Sequence, residues 1–183
     1  MSQSVDLSKF SNTWYNPGNI FLKSTWYLCN RIFLNTSVPY PNSFKSTILK
    51  IFGAKIGKGL VVKPKVNIKY PWLLELGDNV WIGENCWIDN LGSVKIGSNV
   101  CISQGAFIFC GNHNYKKETF DLIVKPIVIE DGVWIGAKSV ICPGVTLKSH
   151  SIISTGSIIT KDTDAYTIYK SFETIKVRKR DIA

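Results

Sequence analysis

An aliphatic residue recurs at six-residue steps through most of this chain, and this repeat constrains the fold more than any other feature. The series comprises Ile56, Val62, Ile68, Leu76, Ile82, Ile88, Ile96, Ile102 and Ile108, then Ile129, Ile135, Ile141, Leu147, Ile153 and Ile159. A period of six fits neither an α-helix nor a long alternating strand. It fits a short strand and a turn, three of which close a triangular coil. We therefore predict an all-β fold, a parallel β-helix whose coils stack at about 4.8 Å.

Two further features of the repeat support this prediction over a set of ordinary antiparallel strands. A small or β-branched residue, such as Val80 or Ser139, follows most of the aliphatics by four positions, where it would fill a tight corner. Ile56, Leu76 and Ile96 are spaced by twenty residues, whereas Ile129 and Leu147 are spaced by eighteen. Extra residues of this kind belong at corners, where they leave the register of the faces intact.

The repeat divides the chain into three parts. We predict a non-repeat cap over residues 1–52, the β-helix over 53–163 with a loop excursion at 111–126, and a short helix or tail over 164–183. Within the cap, residues 19–34 (NIFLKSTWYLCNRIFL) are rich in aromatic and aliphatic side chains. Either they form helices that cover the open end of the β-helix, or they form a helix that lies on a membrane surface.

The bulk composition favours a folded protein in a reducing compartment. The formal net charge is +9, which favours anionic partners such as a phosphorylated ligand, nucleic acid or a membrane surface. The basic run at 176–180 is typical of a solvated tail, and we expect no nucleic-acid partner. Five cysteines without a CxxC pair, and an N-terminus (MSQSVDLSKF) without a basic segment before an apolar run, predict reduced thiols and a cytoplasmic protein.

His113 is the candidate catalytic residue, because it is one of only two histidines and lies where a long loop leaves a rigid frame. A neutral imidazole accepts the proton of a hydroxyl that attacks a thioester, provided that an acceptor orients its second nitrogen. A backbone carbonyl, Asp89 or Asn90 could provide that acceptor. The other histidine, His150, falls at a solvent-facing corner and is expected to be a surface residue.

Several segments resemble the hexapeptide-repeat acyltransferases, and most closely the WcaF-type acetyltransferases of exopolysaccharide (colanic acid) biosynthesis. They are residues 51–58 (IFGAKIGK), 70–72 (YPW), 102–104 (ISQ), 110–115 (CGNHNY), 125–129 (KPIVI), 133–137 (VWIGA) and 143–146 (PGVT). The likeness covers most of the chain, from Asp6 to about Lys161. The hexapeptides alone indicate only the fold, whereas the histidine loop followed by KPIVI and VWIGA is more specific. The resemblance implies a left-handed β-helix, an exception to the usual right-handed crossover.

The resemblance also implies an activity, the transfer of an acetyl group from acetyl-CoA to a sugar hydroxyl in exopolysaccharide or O-antigen biosynthesis. It makes His113 the general base, with Asn114 beside it. Residues at the family's coenzyme-binding positions are Trp134 beside the pantetheine arm, Ala137, Thr155 and Gly156 along the coenzyme, and Thr160 and Lys161 near its nucleotide end. The implied assembly is a homotrimer with the active site between neighbouring prisms. The acceptor would be a sugar or a lipid-linked oligosaccharide. Peripheral contact at the inner face of the membrane is expected if residues 19–34 form the membrane-surface helix.

Two departures from the family pattern affect the site. Asn114 stands where the family usually has Asp, and an amide does not raise the pKa of an imidazole as a carboxylate would. Residues 170–176 (KSFETIK) lack the family's Gly-Asn-Pro-Ala, which bears on coenzyme affinity. The family mechanism is direct transfer, so an acyl-cysteine route through Cys110 is not expected.

Other functions remain open on the same fold. One is a non-catalytic scaffold or binding protein, and another is an acetyltransferase whose acceptor is an amine, serine or an antibiotic. A γ-type carbonic anhydrase needs three histidines on zinc, and this chain has two, so no metal is expected.

Overall fold

The protein, described here over residues 5–171 of a computed structural model, is a three-faced parallel β-helix with helices at its N-terminal end. The helices are a 3₁₀ turn at Leu7–Lys9, α1 at Ile20–Cys29 followed by a π-helical turn at Asn30–Leu34, α2 at Asn42–Ile51, and a 3₁₀ turn at Pro71–Leu73. The strands are β1 Lys55–Ile56, β2 Val61–Val62, β3 Asn67–Ile68, β4 Leu74–Leu76, β5 Trp81–Ile82, β6 Trp87–Asp89, β7 Val94–Ile96, β8 Cys101–Ile102, β9 Phe107–Phe109, β10 Gly111–His113, β11 Leu122–Val124, β12 Ile127–Ile129, β13 Trp134–Ile135, β14 Val140–Ile141, β15 Thr146–Leu147, β16 Ile152–Ile153, β17 Ile158–Ile159 and β18 Ile168–Tyr169.

Each face of the prism is one parallel sheet with a strand from successive coils. Face A has the order β1-β4-β7-β12-β15, face B has β18-β16-β13-β8-β5-β2, and face C has β17-β14-β9-β6-β3. The register joins equivalent residues of the repeat, as where Ile135 pairs with Ile102 below and Ile153 above. The predicted parallel β-helix is confirmed.

The core is the column of inward-facing aliphatics that the six-residue steps predict. All members of the series are buried except Ile56, which is half-buried in the first coil. The small corner residues are buried as well, and the buried hydroxyls among them have partners. Ser139 Oγ donates to the Ser154 carbonyl at 2.9 Å, for example. Burial of this hydroxyl therefore does not destabilise the fold by leaving a polar atom without a hydrogen bond.

The extra residues of the early coils lie at the corner between faces C and A. Inward-facing residues across this corner are eight apart at Ile68 and Leu76, but six apart at Ile141 and Leu147. Residues 110–126, between β9 and β12, leave the prism at the same corner. Insertion at a corner leaves the sheets in register, which is why one long loop is tolerated there.

The predicted helical cap is present, and its side chains bond to the exposed backbone edge of the first coil. Asn19 Oδ1 caps the N-terminus of α1 by accepting from the Leu22 amide. The buried Trp26 donates through Nε1 to the Ile68 carbonyl at 2.8 Å. From α2, the buried Lys45 donates to the Val62 carbonyl at 2.7 Å, and Asn42 Oδ1 accepts from the Val62 amide at 3.0 Å. Over residues 5–171, no helix is both long enough and apolar enough to cross a membrane.

The β-helix continues past residue 163, where the sequence repeat ends. β18 pairs in parallel with β16 and adds a sixth strand to face B. The residues between β17 and β18 cover face A without forming a strand, which is why the repeat disappears from the sequence there. They are bonded to face A through the Thr163 amide, which donates to the Thr146 carbonyl at 3.1 Å. The basic run at 176–180 and most of the segment at 170–176 lie outside the described residues.

Candidate active site

The loop that carries His113 contains a hairpin. β10 and β11 pair antiparallel, with His113 opposite Leu122. The segment N-terminal to α1 packs against this hairpin: the Asp6 amide donates to the Glu118 carbonyl at 2.9 Å, and Lys9 forms an ion pair with Glu118 at 2.6 Å. The histidine therefore lies on an ordered structure that projects from the corner between faces C and A.

The imidazole of His113 is held by a backbone carbonyl. Its Nδ1 lies 2.9 Å from the carbonyl oxygen of Phe120. A carbonyl oxygen only accepts hydrogen bonds, so Nδ1 carries the proton and donates it, which leaves Nε2 with a free lone pair in the neutral ring. This is the tautomer in which Nε2 accepts a proton from a substrate hydroxyl.

Aromatic side chains fix the plane of the same ring. The Phe120 ring is stacked on the imidazole, with centroids 4.4 Å apart and an interplanar angle of 7°. Phe10 contacts the imidazole at 5.7 Å in a tilted arrangement. Phe120 also has a φ of 48°, a left-handed conformation that costs a bulky residue about 1–2 kcal/mol. Strained residues of this kind often occur at functional sites, where the surrounding structure holds them.

Asp89 and Asn90 lie in the corner beneath the hairpin, and their side chains bond elsewhere. The Asp89 carboxylate forms an ion pair with Lys69 at 2.9 Å. The buried Asn90 amide accepts from the Tyr70 amide at 3.0 Å and donates to the Tyr70 carbonyl at 2.6 Å. Of the three acceptors considered for the imidazole, the backbone carbonyl is therefore the one in place, and Asn90 joins two coils.

Asn114 closes the turn of the hairpin. Its backbone amide donates to the Asp121 carbonyl at 2.9 Å, and its Oδ1 accepts from the Lys116 amide at 3.2 Å. The side chain is thus committed to local backbone structure next to His113.

Cys110 is buried at the base of the hairpin, where its thiol donates to the Gly92 carbonyl at 3.7 Å. Burial raises the pKa of this thiol to about 11, and the nearby Asp89 carboxylate adds to the rise. The thiol is therefore neutral at physiological pH, and a neutral thiol is a weak nucleophile. This environment argues against an acyl-cysteine route.

Four of the predicted coenzyme residues lie together where face B meets face C. Trp134 projects outward from face B, half-exposed, with its Nε1 donating to Ser103 Oγ at 2.9 Å. Ala137 lies in the corner after β13, and Thr155 and Gly156 lie one coil further on, where the Gly156 amide donates to the Ala137 carbonyl at 2.8 Å. A Cβ at Gly156 would meet no atom within 4 Å, so the corner is open to solvent or a ligand.

Thr160 and Lys161 lie at the opposite edge of face C. They border a shallow cavity of about 190 Å³ with Tyr169 and Lys170. The structure therefore separates the predicted coenzyme residues into two groups, one on each side of face C. His113 lies on the same edge as the second group, two coils nearer the N-terminus.

The sequence did not lead us to two aromatic neighbours of the predicted site residues, Trp81 near Trp134 and Phe10 near His113. Trp81 and Trp134 occupy the same outward column of face B, separated by Cys101, and both line a surface cavity of about 510 Å³. The signal was available, because Val80-Trp81-Ile82-Gly83 repeats the Val-Trp-Ile-Gly of residues 133–136. No spacing signal identifies Phe10, which lies about a hundred residues from His113 in sequence.

The described part of the chain contains no cluster of three or more His, Cys, Asp or Glu side chains that could hold a metal ion. His150 is an exposed corner residue, with its ring stacked on Tyr166 at 4.8 Å.

Comparison with known proteins identifies a set of transferases. The family described as "Bacterial transferase hexapeptide (six repeats)" matches residues 126–161, and "Hexapeptide repeat of succinyl-transferase" matches residues 74–110. The chain is 31% identical over 176 residues to the Escherichia coli (strain K12) protein named "Putative colanic acid biosynthesis acetyltransferase WcaF", covering 96% of this chain and 97% of the relative. It is 33% identical over 131 residues to the galactoside O-acetyltransferase of the same strain, covering 70% of this chain and 64% of that protein.

Solved structures agree with these matches. A galactoside acetyltransferase in complex with coenzyme A superposes with a TM-score of 0.72 at 28% identity, covering 81% of this chain and 75% of that one. A hexapeptide-repeat-containing acetyltransferase from Vibrio cholerae, complexed with acetyl coenzyme A, superposes with a TM-score of 0.72 at 24% identity and covers 81% of both chains. The second likeness shows the fold alone.

Proposed function

The chain belongs to the hexapeptide-repeat acetyltransferase family, and from that premise we propose that it moves an acetyl group from acetyl-CoA to a sugar hydroxyl, with His113 as the general base. The observation that carries this proposal is the hydrogen bond from His113 Nδ1 to the Phe120 carbonyl. It leaves Nε2 as the proton acceptor, the state that a general base requires.

The proposed reaction is a direct transfer. His113 Nε2 takes the proton from the acceptor hydroxyl while the hydroxyl oxygen attacks the thioester carbonyl. The tetrahedral intermediate collapses with cleavage of the carbon–sulfur bond, and the imidazolium returns the proton to the coenzyme A thiolate. The products are an acetyl ester and free coenzyme A. Holding both substrates in one site lowers the entropic part of the barrier.

The coenzyme is proposed to lie along the corner between faces B and C. Trp134 offers an exposed ring for the pantetheine arm, and Ala137, Thr155 and Gly156 provide an open, small-residue surface. The nucleotide end of the coenzyme is proposed to extend across face C, because Lys161, a cation suited to the phosphates, lies at the far edge of that face and not at this corner. Since His113 and Trp134 lie in different parts of one protomer, we propose that a homotrimer brings a histidine and a coenzyme surface together from neighbouring prisms.

The acceptor is proposed to be a sugar of an exopolysaccharide or O-antigen unit, free or lipid-linked, modified on the cytoplasmic side. The similarity to a protein named for colanic acid biosynthesis and to a galactoside O-acetyltransferase supports a sugar acceptor.

A transfer assay with acetyl-CoA tests this proposal. Wild type, His113→Ala and His150→Ala would be compared against a panel of hexoses, uronic acids, amino sugars and nucleotide sugars. His150 is the matched control because it is the only other histidine and lies at an exposed corner. We expect transfer by the wild type and the His150 variant, and a loss of about 10²- to 10⁴-fold in the His113 variant.

The outcomes separate the alternatives. Equal transfer by the His113 variant and the wild type would remove the base assignment. Acetylation of amines but not hydroxyls would redirect the acceptor class. An absence of turnover with every acceptor would favour the scaffold function.

A further inference from the structure

We propose that the outer face of α1 and of the π-helical turn after it docks onto the surface of an anionic lipid membrane. The docking face is defined by Phe21, Leu28 and Ile32, with Tyr27 and Arg31 along one edge. This docking does not depend on which acceptor is acetylated. If the protein is the acetyltransferase proposed above, docking would hold it beside lipid-linked substrates.

The first step of the argument is that α1 is anchored on one side only. Its inner side holds the buried Trp26, and the π-helical turn adds the buried Asn30 and Leu34. These residues attach the helix to the first coil through Trp26 and through Asn30, whose Nδ2 donates to Asn67 Oδ1 at 2.6 Å. The cap function is thus complete without the outer side.

The second step is that the outer side is apolar and open. Phe21 is 82% exposed, Leu28 60% and Ile32 53%. Their spacing of seven and four residues places them on one helix face. Ser24 and Thr25 lie between them and are also exposed, so no acidic side chain interrupts the docking face. An exposed apolar stripe of this size on a surface helix indicates an interaction site.

The third step is the distribution of charge. Residues 7–74 contain ten Lys and Arg and not one Asp or Glu, whereas the rest of the chain contains twelve basic and thirteen acidic residues. The net positive charge of the sequence therefore belongs to the segment that contains the cap and the first coil. Lys9, Lys55 and Lys69 form ion pairs, and Lys45 is buried. Among the residues that the structure describes, the other six form no ion pair. They are Lys23, Arg31, Lys50, Lys58, Lys63 and Lys65.

The fourth step identifies the partner. A second copy seated directly on the docking face would press the cations beside α1 against those of its partner in one interface, which electrostatic repulsion opposes; the side-by-side prisms of the proposed trimer do not require that contact. A nucleic acid would satisfy the cations but would not bury Phe21, Leu28 and Ile32. An anionic bilayer satisfies both, because apolar side chains enter the headgroup boundary while cations contact the phosphates. Arg31, whose guanidinium lies 5.2 Å from the Tyr27 ring centroid, combines an aromatic and a cationic group of the kind found at membrane interfaces.

Co-sedimentation with vesicles tests the proposal with the full-length protein. Vesicles of phosphatidylcholine alone would be compared with vesicles that also contain phosphatidylglycerol, at low and physiological salt. The variants are the triple substitution Phe21→Ser/Leu28→Ser/Ile32→Ser, the single substitution Arg31→Gln, and a control triple, Tyr115→Ser/Tyr166→Ser/Ile168→Ser. The control side chains are 73%, 77% and 68% exposed and lie outside the cap. Circular dichroism and gel filtration would show that each variant keeps the fold and the assembly size.

The wild type is expected to bind the anionic vesicles and to bind phosphatidylcholine weakly. The docking-face triple should lose about tenfold or more in partition coefficient, and Arg31→Gln about fivefold, whereas the control triple should stay within about twofold. His113→Ala should bind like the wild type, which keeps this result separate from the catalytic proposal.

Three results would overturn the inference. The wild type could fail to prefer anionic vesicles. The docking-face triple could bind as well as the wild type and be released only by salt, which would mean adsorption by net charge alone. The docking-face triple could change assembly size, which would mean that another copy of the chain covers the stripe.

Discussion

His113 and Phe120 form one unit: Nδ1 of the imidazole lies 2.9 Å from the Phe120 carbonyl oxygen, and the two rings are stacked 4.4 Å apart. The same residue thus sets the tautomer through its backbone and the ring plane through its side chain. A residue that acts on the proposed base in two ways should influence catalysis without touching a substrate.

Phe120→Ala is therefore expected to lower kcat by about 10- to 100-fold while leaving the KM for acetyl-CoA nearly unchanged, because a misplaced catalytic group costs rate and not binding. Steady-state kinetics measures both constants. Phe120→Tyr, which keeps the ring and the carbonyl, should retain nearly full activity. A parallel change in kcat and KM, or no rescue by Tyr, would indicate that Phe120 serves only the stability of the hairpin.

Trp134→Ala is expected to raise the KM for acetyl-CoA by about tenfold with a smaller effect on kcat, because the indole would supply binding surface that is equal in the ground and transition states. Trp81→Ala is the matched control, since Trp81 has the same place in the repeat and is similarly exposed, at 57% against 50%. If the Trp81 variant shows the larger change in KM, the pantetheine arm lies nearer the N-terminal coils than proposed.

Cys110→Ala is expected to keep transfer activity within about threefold and to lower the free energy of unfolding by about 1 kcal/mol, since it removes a small buried apolar group. Activity assays and chemical denaturation measure the two effects. Burial holds the pKa of this thiol at about 11, so the wild-type enzyme has very little thiolate at neutral pH. An inactive but folded variant would instead support an acyl-cysteine intermediate.

Lys45 should make stability depend on alkaline pH. Burial, with repulsion from Lys63, lowers the pKa of Lys45 below its ordinary 10.5 in the folded protein. At pH values between the lowered pKa of the folded protein and the pKa of 10.5 in the unfolded chain, Lys45 holds its proton in the unfolded chain and loses it in the folded one. The unfolded state therefore binds more protons, and the free energy of unfolding rises with pH in that window. The difference in unfolding free energy between wild type and Lys45→Met, measured by urea denaturation from neutral pH to pH 10, should grow with pH in favour of the wild type. A constant difference would contradict the lowered pKa.

The fold was predictable because it rests on local repetition. Ile82, Ile102 and Ile135 occupy the same place in successive coils, and a six-residue step has one simple geometric solution. The end of the β-helix was not predictable from the same signal. β18 belongs to face B, but the residues before it contain no aliphatic hexad. They are joined to face A by the hydrogen bond from the Thr163 amide to the Thr146 carbonyl.

The candidate site was predictable only in part. The position of His113 in a loop excursion was visible, and the resemblance indicated its role. Its orienting partner was not visible, because a backbone carbonyl leaves no mark in the sequence and every residue has one. The contact with Phe10 joins segments that are far apart in the chain, and no pattern within either segment encodes it.

The bonds from α2 to Val62 also bear on how the molecule behaves at high concentration. A parallel β-helix ends in unpaired backbone groups, and such an edge is a template on which another chain could add further coils. Lys45 and Asn42 occupy both the carbonyl and the amide of Val62, and Trp26 occupies the carbonyl of Ile68. The helices therefore block these backbone groups at the N-terminal end of the β-helix, so that the coils of a second chain cannot add to them there.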